Sequence, residues 1–212
     1  MKYVIFDTET TGIRSGKDDV IQLAYIVLDD NMDIIDCGCD YCNTDVPISS
    51  GAYDVHHIDK KFLETHAGSV FLNDIIMKNK YFRPDSEEKD VVFIAYNASF
   101  DINMINKKLK ARGYRGVYFG GYTKTPNDET SGRHHFCLMR GIQHKKKLRS
   151  PQKLLDVRKE VLTNLSEDNI KMVYNHLSKP LNLPTRGERQ YHDALYDTLV
   201  TALIYSKVRK WF

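Results

Sequence analysis

Lys2-Tyr3-Val4-Ile5-Phe6-Asp7-Thr8-Glu9-Thr10-Thr11-Gly12 joins a short apolar run to a polar turn. Residues 2–6 are β-branched and aromatic and read as a first strand. Residues i and i+2 of an extended chain point the same way. Asp7 and Glu9 therefore project together from the strand end, at the rim of a sheet. Two like charges held that close cost stability unless a cation sits between them, and hard divalent cations prefer such oxygen ligands. Two solvated acids in a turn would carry the same letters. The motif by itself divides between those readings.

Working outward, residues 19–28 form a second β-branched and aromatic run. Asp29-Asp30-Asn31 is a turn, and residues 32–41 give a third strand, paired antiparallel to the second through that short connection. Residues 56–80 hold two short helical patterns anchored by Phe62-Leu63 and Phe71-Leu72-Ile75-Ile76. A charged loop follows at 83–90. Val91-Val92-Phe93-Ile94-Ala95 reads as a buried strand. Ile102, Ile105 and Leu109 mark a helix over 101–112 that ends at Gly113. Residues 114–122 suggest another strand, and 123–150, polar and basic, an irregular loop. Helices are expected at 151–162, 166–177 and 193–209. Three strands, then helices, then alternating strand and helix predict an α/β fold, a mixed sheet with helices packed on it. Without a convincing linker, residues 1–212 read as one domain.

The bulk numbers permit this. A chain of 212 residues can bury a real core. With 31 basic and 28 acidic residues, its net charge of +3 allows a polyanionic partner without requiring one. No apolar run approaches a membrane span, and the first residues read as a strand rather than a signal peptide. A cytoplasmic protein without a membrane role is expected, with reduced thiols. Cys37, Cys39 and Cys42 form C-x-C-x-x-C, but the first two lie in a strand-like run and a fourth ligand would have to come from far away. Reduced structural thiols are the better reading than zinc.

Two more stretches carry chemistry. In Asn97-Ala98-Ser99-Phe100-Asp101, a buried strand gives way to a tight turn and Asp101 opens a helix, where a carboxylate suits the helix dipole. In His192-Asp193-Ala194-Leu195-Tyr196-Asp197, five helical positions amount to about 140° of rotation. His192 and Asp197 could not easily share a face if both were within the helix. His192 is therefore placed just before it, with Asp197 inside the first turns. Each stretch alone is compatible with ordinary helix acids and a surface histidine.

Together, Phe6–Gly12, Asn97–Asp101 and His192–Asp197 resemble, in the same order, the three signatures of the DEDDh exonucleases, the family of the proofreading subunit of bacterial replicative polymerases. Ala52-Tyr53-Asp54-Val55-His56-His57-Ile58 is similar to the family segment beside the terminal nucleotide. The likeness spans nearly the whole chain. It departs at Tyr96, where the family often has histidine, and over 114–150, which matches no family pattern.

The resemblance implies an RNase H-like fold with a five-stranded mixed sheet. It implies that Asp7, Glu9, Asp101 and Asp197 hold two Mg²⁺ or Mn²⁺ ions about 3.5–4 Å apart. His192 would be the general base, since a histidine of pKa about 6.5 is mostly neutral near neutral pH. The implied reaction is hydrolysis from the 3′ end of a nucleic acid, releasing nucleoside 5′-monophosphates. The implied substrate contacts are the backbone around Thr10 and Thr11 at the 3′ hydroxyl, Ile58 and Phe100 against the terminal bases, and His57 and Asn97 beside them. Single-stranded DNA is favoured over RNA because residues 7–12 look closer to the DNA-directed type, with a polymerase or another replication or repair protein as the partner the resemblance suggests. An exoribonuclease of the same family is the alternative. A binding module that has lost catalysis is disfavoured, because all four carboxylates and the histidine are present. Two basic runs, 107–112 and 145–149, read as solvated faces, and the second could also guide a strand toward the site.

Overall fold

The computed structural model describes residues 1–184 and 192–212. Three strands come first: β1 (Lys2–Thr10), β2 (Val20–Leu28) and β3 (Ile34–Tyr41). Three short helices follow, α1 (Ser50–His56), α2 (Lys60–His66) and α3 (Leu72–Lys78). Then come β4 (Val91–Ala95), α4 (Ala98–Ala111), β5 (Gly121–Tyr122) and β6 (Arg133–Cys137). Four helices joined by loops complete the described chain, α5 (Leu138–Lys145), α6 (Leu154–Val161), α7 (Glu167–Ser178) and α8 (Ala194–Val208), and a 3₁₀ turn follows at Arg209–Trp211.

The strands form one mixed sheet in the order β3-β2-β1-β4-β6-β5. β1 pairs antiparallel with β2, and β2 with β3. β1 pairs parallel with β4, and β4 with β6. Period-two alternation splits β1 between two cores. Tyr3 and Ile5 face an apolar cluster built largely from α8, whereas Val4 and Phe6 face a second one that includes Met104, Ile105 and Leu109 of α4. Asp7 and Glu9 continue the Tyr3–Ile5 side and so point toward α8.

Several expectations need correction. Among the described residues the sheet has six strands rather than five. The strand expected over 114–122 shrinks to Gly121–Tyr122, and the segment read as an irregular loop supplies a strand, Arg133–Cys137, and a helix, Leu138–Lys145. Arg133-His134-His135 looked polar because those three side chains are only partly buried, while Phe136 and Cys137 alone reach the core. β5 lies at the sheet edge beside β6, and Gly120 just before it has a φ of 77° and lies so close to the Arg133 carbonyl that no side chain would fit. The first strand also runs through Thr10, so Asp7 and Glu9 lie within it, and a helix at 50–56 precedes the two foreseen. The cysteines divide between the two cores: Cys37 and Cys39 pack on the α8 side, Cys42 and Cys137 on the α4 side. The four therefore cannot share one metal ion. No described helix is long and apolar enough to cross a membrane.

Candidate active site

The parallel pairing of β1 with β4 is recorded from Lys2↔Val91 to Ile5↔Ile94. Beyond it, β4 turns into α4, and the edge of β1 near Thr8 must find another partner. Asp101 supplies it. Its Oδ1 accepts the Thr8 backbone N–H at 3.1 Å and the Thr8 hydroxyl at 2.8 Å. Asp101 is 2 % exposed and lies in the first turn of α4, so a local backbone need and a helix dipole both hold a carboxylate beside Asp7.

Asp197 arrives by a parallel construction. Asp193 caps α8, accepting the N–H groups of Leu195 and Tyr196. Asp197 stands four residues after that cap, as Asp101 stands four after Asn97, the residue preceding α4. The cap is itself clamped to the sheet. Gln22, fully buried on β2 opposite Glu9, donates its amide to Asp193 Oδ2 at 3.0 Å and accepts the Ala194 N–H at 3.1 Å. Tyr174 of α7 donates to the other Asp193 oxygen at 3.3 Å. Thus the start of α8 is fixed on the strand next to Asp7 and Glu9.

His192 lies before the helix, as the rotation argument requires, with a φ of 60°. Its ring Nδ1 is 3.9 Å from Asp197 Oδ2. Ligand atoms of Glu9, His192 and Asp197 all fall within 4.8 Å of one another. Burial pushes the His192 pKa down, and the neighbouring His57 pushes it the same way, so the imidazole is neutral at neutral pH and able to accept a proton.

The carboxylates show the opposite strain. Burial raises Asp7 well above the usual range, and the charges of Asp101, Asp197, Glu9 and Asp193 raise it further. Burial pushes Asp101 up to about 7 against the opposing hydrogen bonds from Thr8. Asp197 also rises to about 7, through burial and then the Asp193 charge. Four acids from β1, α4 and α8 therefore share one poorly hydrated corner. Their donors are all oxygens, the set that suits Mg²⁺ or Mn²⁺.

The expected substrate contacts divide by exposure. His57, at the left-handed end of α1, and Asn97 are exposed, and Phe100 is partly buried against the α4-side core. Ile58 is fully buried with Ile21, Tyr41, Leu63 and Ala67, so in this structure it offers no face to a base. Thr10 and Thr11 are enclosed as well. The Thr10 hydroxyl donates to the Gly12 carbonyl, and the Thr11 hydroxyl accepts the Asp19 N–H.

Three contributors went unnoticed in the sequence: Thr8, Gln22 and His56. His56 accepts the Ile58 N–H at Nδ1, which leaves the proton on Nε2 to donate to the Thr10 carbonyl at 3.1 Å. It ties α1 to the end of β1. A buried glutamine on an apolar strand was the one available signal, since such an amide needs polar partners.

A sequence profile of the exonuclease family, of the RNase T type, matches residues 4–205. Among curated proteins, a DNA polymerase III of PolC type from Staphylococcus saprophyticus is 26 % identical over 208 residues, 98 % of this chain and 11 % of that one. Its counterpart from Caldanaerobacter subterraneus is 29 % identical over 112 residues, 53 % of this chain and 7 % of that one. The chain thus spans about a tenth or less of the length of these relatives. Among solved structures, E. coli exonuclease I in complex with a dT13 oligonucleotide superposes with a TM-score of 0.64 at 16 % identity, over 98 % of this chain and 40 % of that one. Exonuclease X in complex with 5′-overhanging duplex DNA gives 0.58 at 18 %, over 98 % and 91 %. These likenesses establish an RNase H-like fold.

Proposed function

From a chain that belongs to the exonuclease family, we propose a divalent-cation-dependent enzyme that shortens single-stranded DNA from its 3′ end and releases nucleoside 5′-monophosphates. One observation carries the reading: β1, α4 and the start of α8 deliver four carboxylates and a neutral histidine to one corner, where the acids repel one another without cations. Asp7, Glu9, Asp101 and Asp197 are the residues that would hold two Mg²⁺ or Mn²⁺ ions. Bound there, such ions supply Lewis acidity toward phosphate oxygens and water. His192 takes the proton from the attacking water, being neutral and partly exposed beside Asp197. Asp193 and Gln22 keep that histidine and Asp197 in register with β1. Asn97, His57 and the exposed part of Phe100 form the rim that a terminal nucleotide would meet.

The choice of DNA rests on the sequence of residues 7–12 and on the polymerase relatives. Those relatives carry the matching segment within a far longer chain, which makes a polymerase the partner to seek. The test is digestion of matched single-stranded DNA and RNA, side by side, with Mg²⁺ or Mn²⁺. Faster loss of DNA is expected. Equal or faster loss of RNA would overturn the DNA assignment in favour of the exoribonuclease.

A further inference from the structure

Beyond the catalytic corner, at the β5–β6 edge of the sheet, lies a groove of about 820 Å³ between β5, α5 and the turn at 209–211. Among the described residues, its lining includes Lys124, Arg140, His144, Lys145 and Lys147 and no acidic residue, in a chain that carries 28 acids. Lys124, Arg140, Lys145 and Lys147 are exposed, and none of them forms an ion pair among the described residues. Lys146, between two of them in sequence, is paired with Glu160 and lies 6.0 Å from the centre of the Trp211 ring. Aromatic surface interleaves with the charges. Tyr122 is 50 % exposed at the mouth, and Trp211 and Phe212 are partly buried in the wall. Phe212 packs on Phe136 with ring centroids 4.9 Å apart. Gly141 permits that floor, because a side chain there would collide with the Phe136 ring.

Unneutralised cations beside aromatic faces are the chemistry that holds single-stranded nucleic acid: charges follow the phosphates while rings stack on splayed bases. A duplex would keep its bases from those rings. The groove is also within reach of the catalytic corner. Three strand spacings separate β1 from β5 across the sheet, roughly 14 Å at about 4.8 Å each, and α8 adds roughly 20 Å along its axis between Asp197 and the turn at 209–211, a span of several nucleotides. α5 begins against the end of β4, where the Met139 N–H donates to the Tyr96 carbonyl. We propose that this groove is a second binding site for single-stranded nucleic acid, gripping the strand several nucleotides upstream of the end being cut. The proposal rests on the exonuclease reading above.

Trp211 is the chain's one tryptophan, so its fluorescence reports on this groove and not on the catalytic corner. The experiment titrates the protein, without divalent cations, with a long oligothymidylate bearing a fluorophore. Strand anisotropy and tryptophan emission are read together, for the wild type and for the triple variant Lys124→Ala, Lys145→Ala, Lys147→Ala. Saturable tryptophan quenching that tracks the anisotropy is expected. The triple variant should bind about tenfold more weakly, with a salt dependence shallower by about 2 in log–log slope. With Mg²⁺, its KM should rise for long strands and stay unchanged for a dinucleotide, with kcat unaltered. Silent tryptophan and equal binding by the triple variant would overturn the groove while leaving the exonuclease reading intact. A strand neither bound nor digested would overturn both.

Discussion

Asp101→Asn is expected to reduce digestion by a factor of about a hundred or more, the scale on which a single electrostatic contact to a transition state counts, while making the cation-free protein more stable at pH 8. The asparagine oxygen can still accept the Thr8 N–H and hydroxyl, so the edge of β1 keeps its partner. What disappears is one charge from a crowded set. Asp101 and Asp197 ionise near 7 in the folded chain against 3.8 as ordinary aspartates. Between those values the folded state retains protons that the unfolded state has released. The stabilising contribution of these two groups to the cation-free wild type is therefore fully present below about pH 4, falls as pH rises, and is lost above about pH 7. Added Mg²⁺ should raise the melting temperature more at pH 8 than at pH 5, and less in Asp101→Asn than in the wild type. His192→Ala separates the two duties of the corner. It should lose most activity yet keep the cation-dependent rise in melting temperature. A rise lost along with the activity would make His192 a ligand, as its position within reach of Glu9 and Asp197 permits.

Asp193→Ala should be the most destabilising single change near the site. It removes the cap of α8, worth about 1 kcal/mol. It also strips the buried Gln22 amide of its carboxylate, leaving the weak acceptor Cys39 Sγ at 3.3 Å, a further cost of about 1–3 kcal/mol. The melting temperature should drop by roughly 10 °C, as measured by calorimetry. Activity should fall with it, because His192 and Asp197 flank the loosened turn. Asp193→Asn retains an acceptor for the Leu195 and Tyr196 N–H groups but sets an amide nitrogen against that of Gln22, whose oxygen is committed to the Ala194 N–H. It should be milder in stability and still reduced in kcat. Equal activity in all three proteins would show that the clamp does not position the site.

How far the sequence was legible follows from the range of each interaction. The strands at 20–28, 34–41 and 91–95 and the helices at 98–111 and 194–208 announced themselves, because their apolar side chains fill two faces of one sheet. The position of His192 outside the last helix was legible too, since helical rotation is a local property. Arg133–Cys137 was missed because an edge-proximal strand can carry three polar residues and still hold its ladder. The Gln22–Asp193 clamp joins residues 171 apart, and no pattern in one sequence pairs them. The environment of Ile58 was illegible for a related reason: an apolar residue beside a signature can serve either the cleft or the core, and in this structure it closes a cluster with Leu63 and Tyr41.

One assay bears most directly on the central claim. Single-stranded DNA labelled at its 5′ end is incubated with the protein in Mg²⁺, and in parallel with chelator. A descending ladder of labelled products with Mg²⁺, none with chelator, and one about a hundredfold or more slower for Asp101→Asn is the expected result. Immediate release of the label as a mononucleotide, or an unchanged strand in the presence of Mg²⁺ and Mn²⁺ alike, would contradict the assignment of this corner to 3′–5′ hydrolysis.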